Sequence, residues 1–241
     1  MTESKEFEYS GNELETFALA NNWRRYWMNM VREYLGAEVL EVGAGIGTIT
    51  KGLREPGVRW VALEPDDKMF HVLESEFRNF GSEVEVFGET LTEYAGTDKF
   101  DSILYFDVLE HIEFDAQEVE LACSKLNPNG YLIILVPAHQ SLFSPFDKAI
   151  GHFRRYGRRS LGSLRPNNMN QVLSRYLDSG GYFLSWANSK FLEQSAPTRS
   201  QVYFWDSFVI PVSRIVDSLL GFRFGKSLLV VWQARPNVTR P

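Results

Sequence analysis

Short runs of apolar residues alternate along the chain with longer segments in which apolar residues recur every three or four positions. The short runs predict buried strands, and the periodic segments predict amphipathic helices. Strands and helices that alternate in this order form a parallel, doubly wound sheet with helices on both faces. The expected strands are 38–42, 58–63, 84–87, 101–106 and 131–136, and the clearest intervening helices are 66–80 and 115–126.

A helix is expected before the first strand, because Trp23, Trp27 and Tyr34 recur at helical spacing and Gly36 follows as a stop. Residues 10–13 have the sequence of a capping box and predict an earlier helix start.

The last third of the chain departs from simple alternation. Residues 139–166 are rich in Phe, Arg and Gly and predict an insertion over the carboxyl edge of the sheet. A helix near 167–178 and a strand near 181–187 are expected next. An aromatic helical region at 200–220 and a final strand at 227–233 complete the chain. The turn signal at 127–130 separates the preceding helix and strand.

Composition and charge narrow the classes of function. With 241 residues, 44% of them apolar and 23% charged, the chain suits one large domain. A net charge of −6 disfavours a general nucleic-acid binder, which needs a broad basic face. The single cysteine, Cys123, cannot form a disulfide framework and is expected to pack in the core. Because neither a signal peptide nor a long apolar stretch is visible, we expect a cytoplasmic protein.

The most informative segment lies where the first strand ends. Gly43, Gly45 and Gly47 follow the strand directly, and glycine lets a backbone turn sharply and approach a ligand. Glu64 ends the next strand, where an acid can bind a ribose diol. Glu41 lies inside the first strand and suits a cofactor with a cationic amino-acid part.

The glycine spacing separates two cofactors that share the ribose contact. Dinucleotide-binding proteins have the pattern G-x-G-x-x-G, whose third glycine would fall on Thr48. The spacing here is G-x-G-x-G, which favours S-adenosylmethionine (SAM) over NAD. A phosphate-binding P-loop is excluded, because no G-K-[S/T] follows.

With these motifs the chain resembles the class I SAM-dependent methyltransferases over about residues 20–140 and the closing strand. The resemblance implies a Rossmann-like, mostly parallel, seven-stranded sheet. It implies one SAM-binding domain, 36–241, with acceptor-binding insertions near 139–166 and 190–222, after an N-terminal tail and lid helix at 1–35. It also implies that SAM is converted to S-adenosylhomocysteine (SAH), and we expect no metal.

The same resemblance implies roles for particular residues. Glu41 and the three glycines would hold the methionine part of SAM, and Glu64 the ribose. Glu89 and Thr90 match the adenine contact. Phe106 and Asp107 match the segment beside the methyl group, and Trp23 would screen the cofactor as part of the lid.

Three histidines follow the fourth or fifth strand and are candidates for a catalytic base. His139 is the first choice, because it comes directly after the fifth strand. His111 and His152 are the others. His71 lies within a helix and is expected to be solvated.

A basic segment in the insertion predicts recognition of an anionic acceptor. Arg154, Arg155 and Tyr156 are the expected substrate-binding residues, since arginine forks suit phosphate or carboxylate. Arg158 and Arg159 continue the run. A solvated charged face is the alternative.

A narrower resemblance rests on Asn22-Trp23-Arg24, on Pro137-Ala138-His139, on the segment at 152–156 and on Gly225-Lys226-Ser227-Leu228. Such proteins look like partners of glycosyltransferases in cell-envelope or polyprenyl-linked sugar pathways, which implies a lipid-linked or glycosylated acceptor. For the aromatic stretch at 202–220, core packing or a homodimer face is the first interpretation. A groove for an apolar tail, or peripheral membrane contact, is the alternative.

The leading hypothesis is methylation of an oxygen or nitrogen of a small, anionic metabolite. An rRNA methyltransferase is the first rival, but its usual Asn/Asp-Pro-Pro-Tyr segment is replaced here by Asp107-Val108-Leu109-Glu110. The second rival is a protein of this fold that binds SAM without methyl transfer.

Overall fold

The computed structural model describes residues 19–191 and 198–236. The expected capping box at 10–13 lies outside this part of the chain.

Seven strands form a single sheet, and it confirms the predicted fold class. The strands are β1 (Glu38–Val42), β2 (Arg59–Leu63), β3 (Val84–Phe87), β4 (Phe100–Phe106), β5 (Leu126–Pro137), β6 (Met169–Leu177) and β7 (Ser227–Ala234). Their order in the sheet is β3-β2-β1-β4-β5-β7-β6. Strands β1 to β5 pair in parallel, whereas β7 runs antiparallel to both β5 and β6.

Helices cover both faces of this sheet. They are α1 (Asn21–Val31), α2 (Thr48–Leu53), α3 (Asp67–Phe77), α4 (Asp115–Ser124), α5 (Pro145–Ala149), α6 (Arg158–Ser163), α7 (Ser179–Phe191), α8 (Arg199–Phe204) and α9 (Ile210–Leu219). A π-helical segment, Trp205–Val209, joins α8 to α9. None of the helices in the described ranges is both long and apolar enough to cross a membrane.

Alternate residues of the central strands bury their side chains in two core layers. Leu40 and Ile103 lie in one layer, and Val39 and Leu104 lie in the other, all fully buried. Burial on both faces explains why these strands have near-continuous apolar sequences. Cys123 packs against the first layer, and burial raises the pKa of its thiol to about 12, as expected for a packing residue.

Two predicted elements near the end of the sheet are wrong. The region expected as a helix near 167–178 is strand β6, and the region expected as a strand near 181–187 belongs to helix α7. Strand β6 lies at the edge of the sheet, where polar side chains can face solvent. Its pairing with β7 outweighs its mixed sequence of apolar and polar residues.

Helix α7 packs closely against the π-helical segment at Gly180, where a Cβ would lie 2.6 Å from Val209 Cγ1.

The expected turn at 127–130 is a bulge within β5. Asn129 has a φ of +66°, and the register between β4 and β5 shifts between Phe100 and Ser102. The turn residues therefore interrupt the pairing but do not end the strand.

One buried carboxylate ties α1, α7 and α9 together. Asp217, in α9, is fully buried and accepts hydrogen bonds from the Tyr26 hydroxyl (2.9 Å) and from the backbone N–H groups of Asp178 (2.7 Å) and Ser179 (3.0 Å). These donors lie in α1 and at the start of α7.

Replacing this carboxylate should destabilise the whole domain. We expect Asp217→Ala to lower the free energy of unfolding by about 3–5 kcal/mol, because three buried donors lose a charged acceptor. Exposed Ser218→Ala is the control and should change it by less than about 0.5 kcal/mol. Urea unfolding measures both, and equal stability of the two variants would contradict this role.

Candidate active site

The glycine loop between β1 and α2 leaves one open position. Gly43, Gly45 and Gly47 all have positive φ, at +70°, +58° and +79°. A Cβ on Gly43 would lie 2.5 Å from Val108 Cγ2, and a Cβ on Gly47 would lie 2.5 Å from Phe77 Cε2. Around Gly45, no described atom lies within 4 Å of such a Cβ. Two glycines therefore serve close packing, and the third faces open space that a ligand can fill.

Glu64 fixes this loop and faces the same opening. One carboxylate oxygen accepts the Gly45 N–H at 2.7 Å, and the other accepts the Asp66 N–H at 3.0 Å. Burial raises the pKa of Glu64, while these two hydrogen bonds oppose the rise. Because each oxygen has a second lone pair, both can also accept a hydroxyl of a diol.

Glu41 lies buried beneath the loop with one oxygen satisfied. Its Oε2 accepts hydrogen bonds from Thr50 Oγ1 (2.6 Å) and Trp60 Nε1 (2.9 Å). Its Oε1 is buried without a partner among the described residues. Burial raises the pKa of Glu41 to about 7. A ligand that brings an ammonium group to this loop would favour the charged form.

The predicted adenine-contact residues follow β3. Thr90 is held by Glu93, whose Oε2 accepts from the Thr90 N–H at 3.0 Å and from its hydroxyl at 2.8 Å. Glu89 is half-buried beside it. Their role toward adenine stays a prediction.

Strained residues mark the carboxyl ends of three strands. Asp107 follows β4, His139 follows β5 and Asp178 follows β6, with φ values of +54°, +64° and +63°. Residues other than glycine adopt this region rarely, and such strain clusters at functional sites. Since β7 is antiparallel, its amino end brings Lys226 to the same edge.

Asp107 is exposed at this edge, and Phe106 beside it is buried. The Phe106 ring packs on Trp27 of α1, with ring centroids 4.4 Å apart. Lys226 and His152 lie within electrostatic range of Asp107. The end of β4 thus lies between the glycine loop, which follows β1, and the end of β5. We call this carboxyl edge of the sheet the cleft.

The His139 ring is held by one hydrogen bond and by aromatic neighbours. Its Nε2 donates to the Gly225 carbonyl at 3.0 Å, because a carbonyl only accepts. Its ring stacks on Tyr176, with centroids 4.9 Å apart. Burial lowers the pKa of His139, and the bond to Gly225 opposes this. The neutral ring with a proton on Nε2 leaves Nδ1 as a proton acceptor.

His111 and His152 lie together beside the same edge. Their ring centroids are 4.5 Å apart in an edge-to-face arrangement. His152 Nδ1 lies 2.9 Å from Asp147 Oδ1, and its Nε2 lies 3.8 Å from Glu110 Oε1. Burial, with the nearby His152, lowers the pKa of His111 to about 4.

The two arginines expected to bind substrate are bound to protein groups. Arg154 pairs with Asp115 at 2.6 Å and donates to the Glu113 carbonyl at 2.8 Å. Arg155 places Nε and Nη2 on the two oxygens of Asp147, at 2.8 and 2.9 Å. These contacts hold both guanidinium groups within the protein, although Arg155 Nη1 is buried without a partner among the described residues. Binding of an acceptor by these arginines stays a prediction.

Tyr156 is buried, with 2% of its surface exposed. Its hydroxyl donates to Asp115 Oδ2 at 2.8 Å and lies 3.2 Å from the Leu109 carbonyl. This placement makes it a packing residue.

Lys226 lies at the same edge and was not predicted from the sequence as a site residue. It is half-buried over the Trp205 ring at 5.4 Å, and burial lowers the pKa of its ammonium group, which Asp178 opposes.

Trp23 anchors the start of α1. Its backbone N–H donates to Asp206 Oδ1 at 2.8 Å, and its ring lies 5.9 Å from that of Trp205. Helix α1 is therefore fixed to the π-helical segment by a buried hydrogen bond. A lid role for this helix stays a prediction.

Comparisons with known proteins agree with this geometry. The family described as "Methyltransferase domain" matches residues 19–186. The ubiquinone biosynthesis O-methyltransferase of Azorhizobium caulinodans is 28% identical over 105 residues, which are 43% of this chain and 42% of that protein. The enzyme of the same name from Xanthomonas euvesicatoria pv. vesicatoria is 25% identical over 152 residues, or 55% of this chain and 64% of that protein. The chain thus matches less than two thirds of the length of these curated relatives.

Solved structures share the fold at low sequence identity. The N-methyltransferase NodS from Bradyrhizobium japonicum WM9, in complex with SAH, has a TM-score of 0.56 and 11% identity, with coverage of 88% of this chain and 86% of that chain. The [4+2]-cyclase SpnF has a TM-score of 0.61 and 14% identity, with coverage of 89% and 81%. These likenesses show the fold alone.

The residues at the glycine loop fit SAM or SAH. Gly45 faces open space, Glu64 offers lone pairs to a diol, and Glu41 has an unpartnered buried oxygen. We expect Glu64→Ala to weaken SAH binding by about 1.5–3 kcal/mol, as for the loss of charged hydrogen bonds. Exposed Glu74→Ala is the control. Titration calorimetry measures both, and unchanged affinity in the Glu64 variant, or preferential binding of NAD, would overturn the cofactor assignment.

The raised pKa of Glu41 gives a pH dependence to stability. The folded state holds the proton up to about pH 7, whereas the unfolded state releases it near pH 4.5. This group therefore lowers stability as pH rises between those values. Without ligand, we expect Glu41→Gln to gain stability relative to wild type over this window and to level off above it. Urea unfolding across the pH series, with Glu74→Gln as control, checks this, and a difference that is independent of pH would contradict it.

Proposed function

Because the chain belongs to the methyltransferase-domain family, we propose that it transfers the methyl group of SAM to a hydroxyl oxygen of a small acceptor. The observation that carries this proposal is the neutral His139 ring at the carboxyl end of β5, with Nε2 bound to Gly225 and Nδ1 able to accept a proton. A hydroxyl needs such a base near neutral pH. The relatives named O-methyltransferases support oxygen over nitrogen.

In this reaction SAM supplies an electrophilic methyl group on a good leaving group. The protein must align the acceptor oxygen and exclude water. Glu64 and the glycine loop hold the cofactor on the β1 side of the cleft. His139 holds the acceptor on the β5 side and takes its proton on Nδ1.

An anionic group on the acceptor would be bound by Lys226 rather than by the predicted arginines. Lys226 lies at the cleft edge, within electrostatic range of the carboxylates of Asp178, Asp107 and Asp147 and of the Arg155 guanidinium. Asp178 also accepts hydrogen bonds from Gly181, Ser213 and Trp205, whose distances are 2.8, 3.0 and 2.8 Å. The Lys226 ammonium group could donate hydrogen bonds to a phosphate or carboxylate of the acceptor.

An aromatic surface beside His139 suits an apolar part of the acceptor. Tyr182 and Phe224 contact the His139 ring, with centroids at 5.2 and 5.7 Å. Phe183 packs on Phe224 and is 62% exposed. A ring or prenyl chain placed here would cover these side chains.

The outer face of α8, the π-helical segment and α9 supports an acceptor linked to lipid. Large apolar side chains recur on it at helical spacing and are more than half exposed: Phe204, Phe208, Val212, Ile215 and Leu219. Arg214 and Arg223 are also exposed in this region, while the acids Asp206 and Asp217 are buried. An apolar face with basic neighbours suits an anionic membrane surface, from which a lipid-linked acceptor would be presented. A homodimer face is the alternative.

The test of the proposed function combines an acceptor panel with a base variant. Hydroxylated aromatic compounds, with and without a carboxylate or phosphate and with and without a prenyl chain, are assayed for SAH formation. We expect the anionic, prenylated members to be preferred. His139→Gln should lower kcat/KM by about 100-fold or more while SAH affinity is unchanged. His71→Gln, on the exposed face of α3, is the matched control.

Two results would overturn the proposal. Equal kcat/KM for wild type and His139→Gln would show that His139 is not the catalytic base. Methylation of amines in the panel without methylation of any hydroxyl would change the acceptor atom.

A further inference from the structure

Three side chains with metal-binding atoms converge beside the end of β4. Glu110 and His111 come from the turn after β4, and His152 comes from the segment after α5. One ligand atom from each lies within 4.8 Å of the other two. Around an ion with bonds of about 2.0–2.2 Å, ligand atoms lie roughly 3–4 Å apart. A bound ion would therefore draw the ligand atoms together by roughly 1 Å.

Of the three side chains, Glu110 has the surroundings that most favour a bound cation. It is fully buried, and neither carboxylate oxygen has a hydrogen-bond partner in the described ranges. An unpartnered buried carboxylate is costly unless it is protonated or binds a cation. Arg155 interacts electrostatically with Glu110, but two of its nitrogens donate to Asp147 instead.

His152 is oriented in the manner of a metal ligand. Asp147 holds its Nδ1 at 2.9 Å, so that Nε2 points toward Glu110 at 3.8 Å. Asp147 is itself fixed by Ser144 and by the Arg155 fork. A carboxylate behind one ring nitrogen is the usual arrangement for a histidine that binds metal through the other.

His111 supplies the third ligand. Its ring lies edge-to-face against the His152 ring, with centroids 4.5 Å apart, so that both imidazoles lie beside Glu110. Two imidazoles and one carboxylate form a donor set for a divalent first-row transition metal, such as Zn²⁺, Mn²⁺ or Fe²⁺.

We propose that Glu110, His111 and His152 bind one divalent transition-metal ion at the acceptor side of the cleft. This proposal replaces the expectation, drawn from the sequence, of a protein that needs no metal. The site adjoins Asp107, which is exposed at the end of β4 and couples electrostatically to Glu110. An ion there can bind an oxygen of the acceptor, a role that rests on the proposed function, whereas metal binding itself does not.

The experiment measures metal binding without activity. Full-length protein is freed of metal with a chelator and titrated with Zn²⁺ or Mn²⁺, and metal content after gel filtration is measured by mass spectrometry. We expect one ion per chain and a rise in Tm. Glu110→Gln and His152→Gln should each weaken binding by about 100-fold or more, because loss of a group that only orients a ligand already costs roughly 10–100-fold. His71→Gln should bind as wild type does.

The Glu110→Gln variant separates loss of a metal ligand from loss of the fold. It replaces an unpartnered carboxylate with a neutral amide of the same shape, so the metal-free variant should be at least as stable as wild type. If metal no longer raises the Tm of this variant, the loss shows that the Glu110 carboxylate binds the ion. Absence of a bound ion in wild type, or wild-type affinity in Glu110→Gln, would overturn the proposal.

SAH binding and methyl transfer are measured on the same samples. SAH binding and turnover in wild type that binds no ion in the titration would overturn the metal site and leave the proposed function standing. One bound ion with no turnover of any hydroxyl acceptor would do the reverse.

Discussion

The site depends on the attachment of the glycine loop to the end of β2. The Gly43 and Ala44 N–H groups donate to the Leu63 carbonyl at 2.8 and 2.9 Å, and the Gly45 N–H donates to Glu64 at 2.7 Å. Three consecutive backbone donors are thus fixed by one strand end. This holds the loop at positive φ and keeps the open side of Gly45 toward the cleft, where a cofactor can approach the backbone.

The side of the cleft opposite the glycine loop is formed by strand ends that are distant in sequence. Asp107 and His139 follow the parallel strands β4 and β5, whereas Lys226 precedes the antiparallel β7. Because β7 runs in the opposite direction, Lys226, which precedes it, lies beside residues that follow β4 and β5. The residues that we assign to the cofactor and to the acceptor consequently lie along one edge of the sheet, where in-line transfer would need both partners.

The central strands, the glycine loop and Glu64 could be predicted because local patterns determine them. Strand β6 could not, since its pairing with β7 depends on tertiary contact rather than on its own mixed sequence. The acceptor side was harder for the same reason. A run of arginines does not reveal that Asp115 and Asp147 face Arg154 and Arg155 in the folded chain.

A crystal structure of the protein with SAH tests the central claim most directly. We expect the ribose hydroxyls on Glu64, the amino-acid end over Gly45, and the sulfur facing the opening between Asp107 and His139. SAH bound elsewhere, or bound at the glycine loop with its sulfur turned away from that opening, would contradict the account.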